Sequence, residues 1–231
     1  MTYNTIKNDM KGFKMDKNLI IEKTKKFVKD KLYGEGSGHD WWHIERVYNM
    51  SKLLASSENA NNFIVEMTAL LHDIDDWKFS KGIETNTYVT EEFLNSVNVD
   101  KEDRIKIIDI IKTMSFKGGV VDSTQKTLEG MIVQDADRLD AIGAIGVART
   151  FAYGGNKNRQ MYDPTIKPIE FNSLEEVKNV ENHTINHFYE KLLKLKDLMN
   201  TETGKEIASR RHKFMEQFLD EFYYEWNFGS E

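Results

Sequence analysis

The sequence predicts an all-α protein built as one domain, and three observations carry that prediction. Its only two prolines, Pro164 and Pro168, fall in one stretch, so the strongest interrupter of helices is missing from the rest of the chain. Apolar residues recur at offsets of three, four and seven along most of the sequence, the period of a helix that buries one face. Period-two alternation, the mark of a half-buried strand, is nowhere sustained. At 231 residues the chain has the length of one large domain.

Residues 1–15 are polar and irregular and read as an extension, with Asp16 placed to cap the helix that follows. Ile20, Ile21, Thr24, Phe27, Val28 and Leu32 form the stripe of that helix, and the run from Gly34 to Gly38 ends it. Ile44, Val47, Met50 and Leu54 mark a second helix. A third runs from about Asn62 through Phe63, Ile64, Val65, Met67, Ala69, Leu70 and Leu71. It is apolar nearly all round, so it belongs in the middle of a bundle. Further helices are expected near 87–97, over Ile105, Ile108, Ile111 and Met114, and from about 136 to 152. In the last of these, Ala136, Gly143 and Gly146 would let another helix approach closely. Ala152 to Ser173 reads as a long loop carrying Gly154-Gly155, Lys157 and Arg159. Two long amphipathic helices close the chain, one through Ile185, Phe188, Leu192, Leu195 and Met199, the other through Ile207, Phe214, Phe218 and Phe222. The domain is drawn over 16–226, with 227–231 as a tail.

Charge and composition exclude several functions. With 32 Lys+Arg against 38 Asp+Glu the formal charge is −6, so neither a DNA backbone nor an anionic membrane attracts this chain as a whole. No nucleic-acid partner and no membrane partner is expected. The apolar runs fall far short of the ~20 residues of a membrane span, and the first residues lack the apolar core of a signal peptide, so a cytoplasmic location is expected. There is no cysteine, which excludes disulfides, thiolate-held metals and thiol nucleophiles. Any metal must be held by His, Asp or Glu. The aromatic end, with Phe214, Phe218, Phe222, Tyr223, Tyr224 and Trp226, has helical spacing and is interleaved with Glu216, Asp220, Glu221 and Glu225. It reads as a packing face, with a homodimer face as its functional alternative, rather than a stacking surface for single strands.

Three places could carry chemistry. His43 shares a helix face with Val47, Met50 and Leu54, with Arg46 at its flank. His72 and Asp73 end the most hydrophobic helix, where a charge needs a partner. Asp135 directly follows the apolar run Met131-Ile132-Val133 and opens a cluster with Asp137, Arg138 and Asp140. Two imidazoles and two carboxylates from three helices would make a mixed nitrogen and oxygen site, suited to a divalent transition metal rather than calcium. His39 and His43 are four apart, but Asp40 stands where a zinc peptidase needs its glutamate. His183 and His187, also four apart, flank a packing face and read as structural.

The stretches GHDWWHIERV, LLHDIDDWKF and IVQDADRLDAIG, with MSFKGG at 114–119 and ARTFAYGG at 148–155, stand in a recognisable order. Together they resemble the HD superfamily of metal-dependent phosphohydrolases, whose pattern is H…HD…D, and within it the bacterial YedJ/YpgQ-like branch. The resemblance spans roughly residues 17–226. It implies a single-domain HD-type helical bundle with metal ligation by His43, His72, Asp73 and Asp135. One divalent ion is implied, with manganese favoured over magnesium, iron, cobalt, nickel or zinc. Such an ion lowers the pKa of bound water and polarises a phosphoryl oxygen, which fits a chain without a thiol nucleophile. Asp73, Arg46, Lys78 and Asp76 are the catalytic candidates, Asp76 to orient water or hold a second ion. Lys117, Arg149, His39 and Arg138 are the candidates to bind or frame the substrate. The expected reaction is hydrolysis of a phosphate ester or anhydride, preferably of a nucleotide, releasing phosphate or pyrophosphate. Two rival readings are a di-iron oxygenase of the same superfamily, which needs further ligands, and a non-catalytic nucleotide-sensing module pinned by its metal.

Overall fold

The computed structural model describes residues 16–34, 40–75, 87–115, 119–180 and 182–229. Among the described residues there are ten α-helices and no strand, as the prolines and periodicity predict. They are α1 (Lys17–Leu32), α2 (Trp41–Ala55), α3 (Asn62–Leu71), α4 (Tyr88–Ser96), α5 (Lys101–Thr113), α6 (Leu128–Asp140), α7 (Gly143–Asn156), α8 (Leu174–Asn179), α9 (Asn186–Glu190) and α10 (Glu202–Trp226). Asp16 does cap α1, accepting from the Asn18 amide at 3.1 Å.

α3 is the centre of the bundle. It packs against α1, α2, α5 and α6, and Ile64, Val65, Met67, Ala69, Leu70 and Leu71 are all buried. Each fully buried Ile, Leu or Met contributes about 1.5–3 kcal/mol, so this helix is held by its packing rather than by its ten residues of helix propensity. α6 lies along α2 and α3 and also meets α10, which places its acidic run at the junction of three elements.

The chain departs from the expected elements at three points. The helix expected over 136–152 is two helices, because α6 ends at Asp140 and α7 begins at Gly143 with φ +79°. A Cβ at Gly143 would lie 3.0 Å from the Arg211 side chain of α10, so α10 does approach there. Gly146 serves the corner itself, since its Cβ would lie 2.3 Å from the Ala141 carbonyl. α7 then runs on to Asn156, which shortens the loop expected from Ala152.

The penultimate helix is also broken. α9 ends at Glu190, and Leu192–Leu198 continues as a 3₁₀ helix. The apolar spacing fits either winding, and the choice is made by bonds beyond the segment. Arg138 of α6 donates to the Leu198 carbonyl, and Asp135 accepts the Asn200 and Thr201 amides, fixing the exit of the segment against α6. Only α10, with 25 residues, is long. Part of its aromatic face packs as expected: Phe218 stacks on Phe188 at 5.8 Å, and Tyr162 meets Phe222, Tyr223 and Trp226 edge-on, whereas Phe214 and Tyr224, expected on the same face, are exposed. His183 is buried and bonded toward the Ile166 carbonyl at 3.1 Å, a structural role. Among the described residues no helix is long and apolar enough to cross a membrane.

Candidate metal centre

Local structure aims each imidazole. Asp40 caps α2 by accepting from the His43 amide at 3.0 Å, so His43 sits in the first turn, on the buried side shared with Val47. α3 ends at Leu71, and the next residue folds its ring back so that His72 Nδ1 lies 2.9 Å from the Ala69 carbonyl. Asp73 follows in the turn. The two Nε2 atoms then face each other at 3.3 Å. Asp73 reaches both rings, with Oδ2 3.3 Å from His43 Nε2 and Oδ1 3.6 Å from His72 Nε2.

The fourth group is Asp137, not Asp135. Asp137 Oδ1 lies 3.6 Å from His43 Nε2 and 3.8 Å from His72 Nε2. Asp135 is fully buried on another side of α6, where its two oxygens accept from the backbone amides of Asn200 and Thr201 and from the Thr201 hydroxyl at 2.7–3.1 Å. It anchors the entry to α10, whose cap is Thr201, accepting from the Gly204 amide at 3.1 Å. Residues two apart on a helix point about 200° away from one another, so the two carboxylates of this pair cannot serve one site. The helical period shows that the two diverge, Asp137 sharing a face with Asp140 and Asp135 the other with Arg138, but not which face meets the imidazoles.

Asp140 completes the surroundings, and the sequence reading gave it no part in the site. It accepts from His43 Nδ1 at 2.7 Å, from Arg46 Nε at 2.7 Å and from Arg149 Nη1 at 2.8 Å. Arg46 and Arg149 therefore stand close to the imidazoles, bound to this carboxylate. Arg138, expected to frame the substrate, does not stand there. It is buried, and its guanidinium donates to the Leu198 carbonyl and the Ser123 hydroxyl. Burial also pushes it below the usual arginine range. It ties α6 to the end of the 3₁₀ helix and to the loop before α6. His39, Asp76, Lys78 and Lys117 lie outside the described residues.

The donor set fits a metal ion on its own geometry. The Ala69 carbonyl can only accept, so His72 Nδ1 carries a proton; Asp140 is held well below the usual carboxylate range, against burial, by its bonds to His43 and Arg46, so His43 Nδ1 carries one too. In the neutral rings both Nε2 atoms then present bare lone pairs at 3.3 Å, a contact that repels unless a cation lies between them. Ligands in adjacent positions on an ion with bonds of about 2.1 Å stand about 3.0–3.4 Å apart, close to these spacings. His43, His72 and Asp73 are near enough to one another to hold a single ion. Burial and Arg149 pull His43 down, yet Asp140 and Asp73 outweigh them and hold it above its ordinary value, the response of a ring whose neighbours favour positive charge. The Asp137 side chain is 34% exposed against 0% for His43, so the group reaches solvent on the Asp137 side.

An all-α bundle with a His-His-Asp group at its centre defines a class, the helical domains able to hold a divalent metal. The sequence model of the HD domain matches residues 41–142, from the start of α2 to the end of α6 and just beyond, which includes each of these residues. The chain belongs to the HD superfamily. It is similar to YpgQ of Bacillus subtilis, with 39% identity over 199 residues that make up 86% of this chain and 89% of that one. Among solved structures it superposes on a Lactobacillus plantarum protein with a TM-score of 0.83 at 38% identity, covering 92% of this chain and 99% of that one. An HD-superfamily hydrolase from Bacillus thuringiensis gives a TM-score of 0.70 at 47% identity, with the same coverage. The structure of B. subtilis YpgQ in complex with ADP gives 0.69 at 37%, covering 87% of this chain and 95% of that one.

Proposed function

We propose that this chain is a metal-dependent phosphohydrolase that cleaves a phosphate ester or anhydride of a nucleotide. The observation that carries the reading is the pair of Nε2 atoms 3.3 Å apart beside the Asp73 carboxylate. His43, His72, Asp73 and Asp137 would hold one divalent ion, with manganese favoured by a mixed nitrogen and oxygen donor set. When bound, such an ion supplies an acidified water and a charge that polarises a phosphoryl oxygen.

The chain's own residues do the rest. Asp73 and Asp137 together balance the charge of a divalent ion, which leaves the positive charge of Arg46 and Arg149 in excess over Asp140 by one. The site is thus suited to an anion, although the chain as a whole is acidic. Arg46, with its side chain 37% exposed, brings that charge to the surface. Lys78 and Lys117 would add cationic contacts to the phosphates, with His39 near the entrance and Asp76 as a partner for water. A nucleotide is preferred because the YpgQ structure, 37% identical, contains ADP. The oxygenase reading needs a second ligand set, and among the described residues one group of three metal-ligating side chains is present.

The test is release of phosphate and of pyrophosphate from nucleoside and deoxynucleoside mono-, di- and triphosphates by apo-protein reloaded with manganese, magnesium or zinc. Turnover is expected only with metal, and none from His72→Ala. Equal turnover by the metal-free His72→Ala variant would overturn the reading, and tight nucleotide binding without turnover would replace it with the sensing module.

A further inference from the structure

Asp140 occupies a place where a carboxylate is disfavoured. It is the last residue of α6, at the helix end that carries partial negative charge from free carbonyls, and it is 5% exposed. It is nevertheless surrounded by donors from two other helices. Oδ2 accepts from His43 Nδ1 at 2.7 Å, from Arg149 Nη1 at 2.8 Å and from Arg46 Nη2 at 3.0 Å, and Oδ1 accepts from Arg46 Nε at 2.7 Å. Arg149 Nη1 also lies 3.2 Å from the Asp140 carbonyl, which neutralises the helix end. A residue kept against helix polarity and desolvation, and stabilised by a two-pronged arginine and a second one, is a candidate for a role beyond stability.

We propose that Asp140 is a positioning residue for the metal centre: it fixes His43 in the tautomer protonated on Nδ1, so that Nε2 points bare at His72, Asp73 and Asp137, while Arg46 and Arg149 serve the centre by holding Asp140. The inference rests on the metal-centre reading above. A ring that only packs could carry its proton on either nitrogen. A ring that must ligate through Nε2 needs an acceptor behind Nδ1, and that acceptor needs its own charge compensated, or burying it would cost more than orienting the ring gains. Two guanidiniums on one carboxylate meet that need.

The experiment uses Asp140→Leu in the full chain, which keeps size and removes charge and acceptors together; an amide would not serve, because the Oδ2 position that faces His43 Nδ1 also faces Arg149 Nη1 and Arg46 Nη2, and a carbonyl oxygen there would keep the Nδ1 proton in place. With no acceptor behind Nδ1, the ring proton moves to Nε2, where Asp73 and Asp137 lie at 3.3 and 3.6 Å. Side-chain nitrogen NMR of histidine-labelled apo-protein, at a pH where the rings are neutral, reads the tautomer directly, and calorimetry reads manganese affinity. Wild type is expected to show His43 protonated on Nδ1. The Asp140→Leu variant is expected to show the proton on Nε2 and an affinity lower by about 10–100-fold, with helical content retained. Asp140→Glu, which keeps the charge, is expected to restore the Nδ1 tautomer.

A wild-type His43 protonated on Nε2 overturns the proposal without any variant, so it stays testable if the leucine variant does not fold. So does a leucine variant that keeps the Nδ1 tautomer and binds manganese within twofold of wild type. If wild type has the expected tautomer but binds no divalent ion, the metal-centre reading fails and the orienting role of Asp140 stands. If wild type binds manganese and Asp140→Leu binds it equally well, the metal centre stands and this proposal falls.

Discussion

At the scale of single residues, the acidic run of α6 divides its labour by direction. Asp137 faces the imidazoles and Asp135, two positions away and on another side of the helix, anchors the entry to α10. Asp137→Asn is expected to lose the metal while leaving apo-protein stability within about 0.5 kcal/mol, as a partly exposed substitution does. Asp135→Asn is expected to destabilise by about 1–3 kcal/mol, because its amide group cannot accept from the Asn200 and Thr201 amides with both ends. Urea unfolding of the apo forms, set beside metal content, separates the two; the opposite pattern would return the ligand role to Asp135. Tyr48 gives a pH test away from the centre. Burial, then its bond to Glu66, raises its phenol to about 12. A raised pKa means that the folded state holds the proton more tightly. The associated stability is therefore complete below the unfolded value of about 10 and is lost as pH rises from there to about 12. Tyr48→Phe should flatten that alkaline decline, and an unchanged slope in unfolding at pH 9 to 12 would contradict it.

At the scale of elements, carboxylates of both metal motifs reach out to start other helices. Asp75, two residues past Asp73, accepts from the Val89 and Thr90 amides at 3.0 and 2.9 Å and so caps α4, whose own Thr87 makes no side-chain cap. Asp135 acts one step earlier at α10: it holds the Asn200 and Thr201 amides, and Thr201 itself caps the helix. The centre and the helix starts around it are thereby one connected arrangement. The α6–α7 corner is the other sensitive element. Gly143 combines φ +79° with a Cβ direction occupied by Arg211 at 3.0 Å, so Gly143→Ala is expected to lower stability by about 1–3 kcal/mol. Thermal unfolding checks this, and a variant as stable as wild type would show that the corner relaxes freely.

At the scale of the whole molecule, metal and fold should be linked. An ion that binds only the folded chain stabilises it by about 2.7 kcal/mol at one hundred times its Kd, which for this length raises Tm by roughly 5–10 °C. Manganese is expected to produce that rise in wild type and not in Asp137→Asn; an equal rise in both would place the ion elsewhere. The sequence by itself determined the all-α class and the central place of α3, because each depends on helical period and apolar patterning along one segment; that His43 meets His72 and Asp73 was legible only through the resemblance of the stretches that carry them. Only the tertiary structure decided that Asp137 rather than Asp135 faces the imidazoles, that Asp140 gathers Arg46 and Arg149, and that the segment before α10 winds as α9 and a 3₁₀ turn. Those outcomes depend on which donors other helices bring to a carboxylate or a carbonyl, and local periodicity carries no record of partners that lie 60 to 100 residues away in the chain.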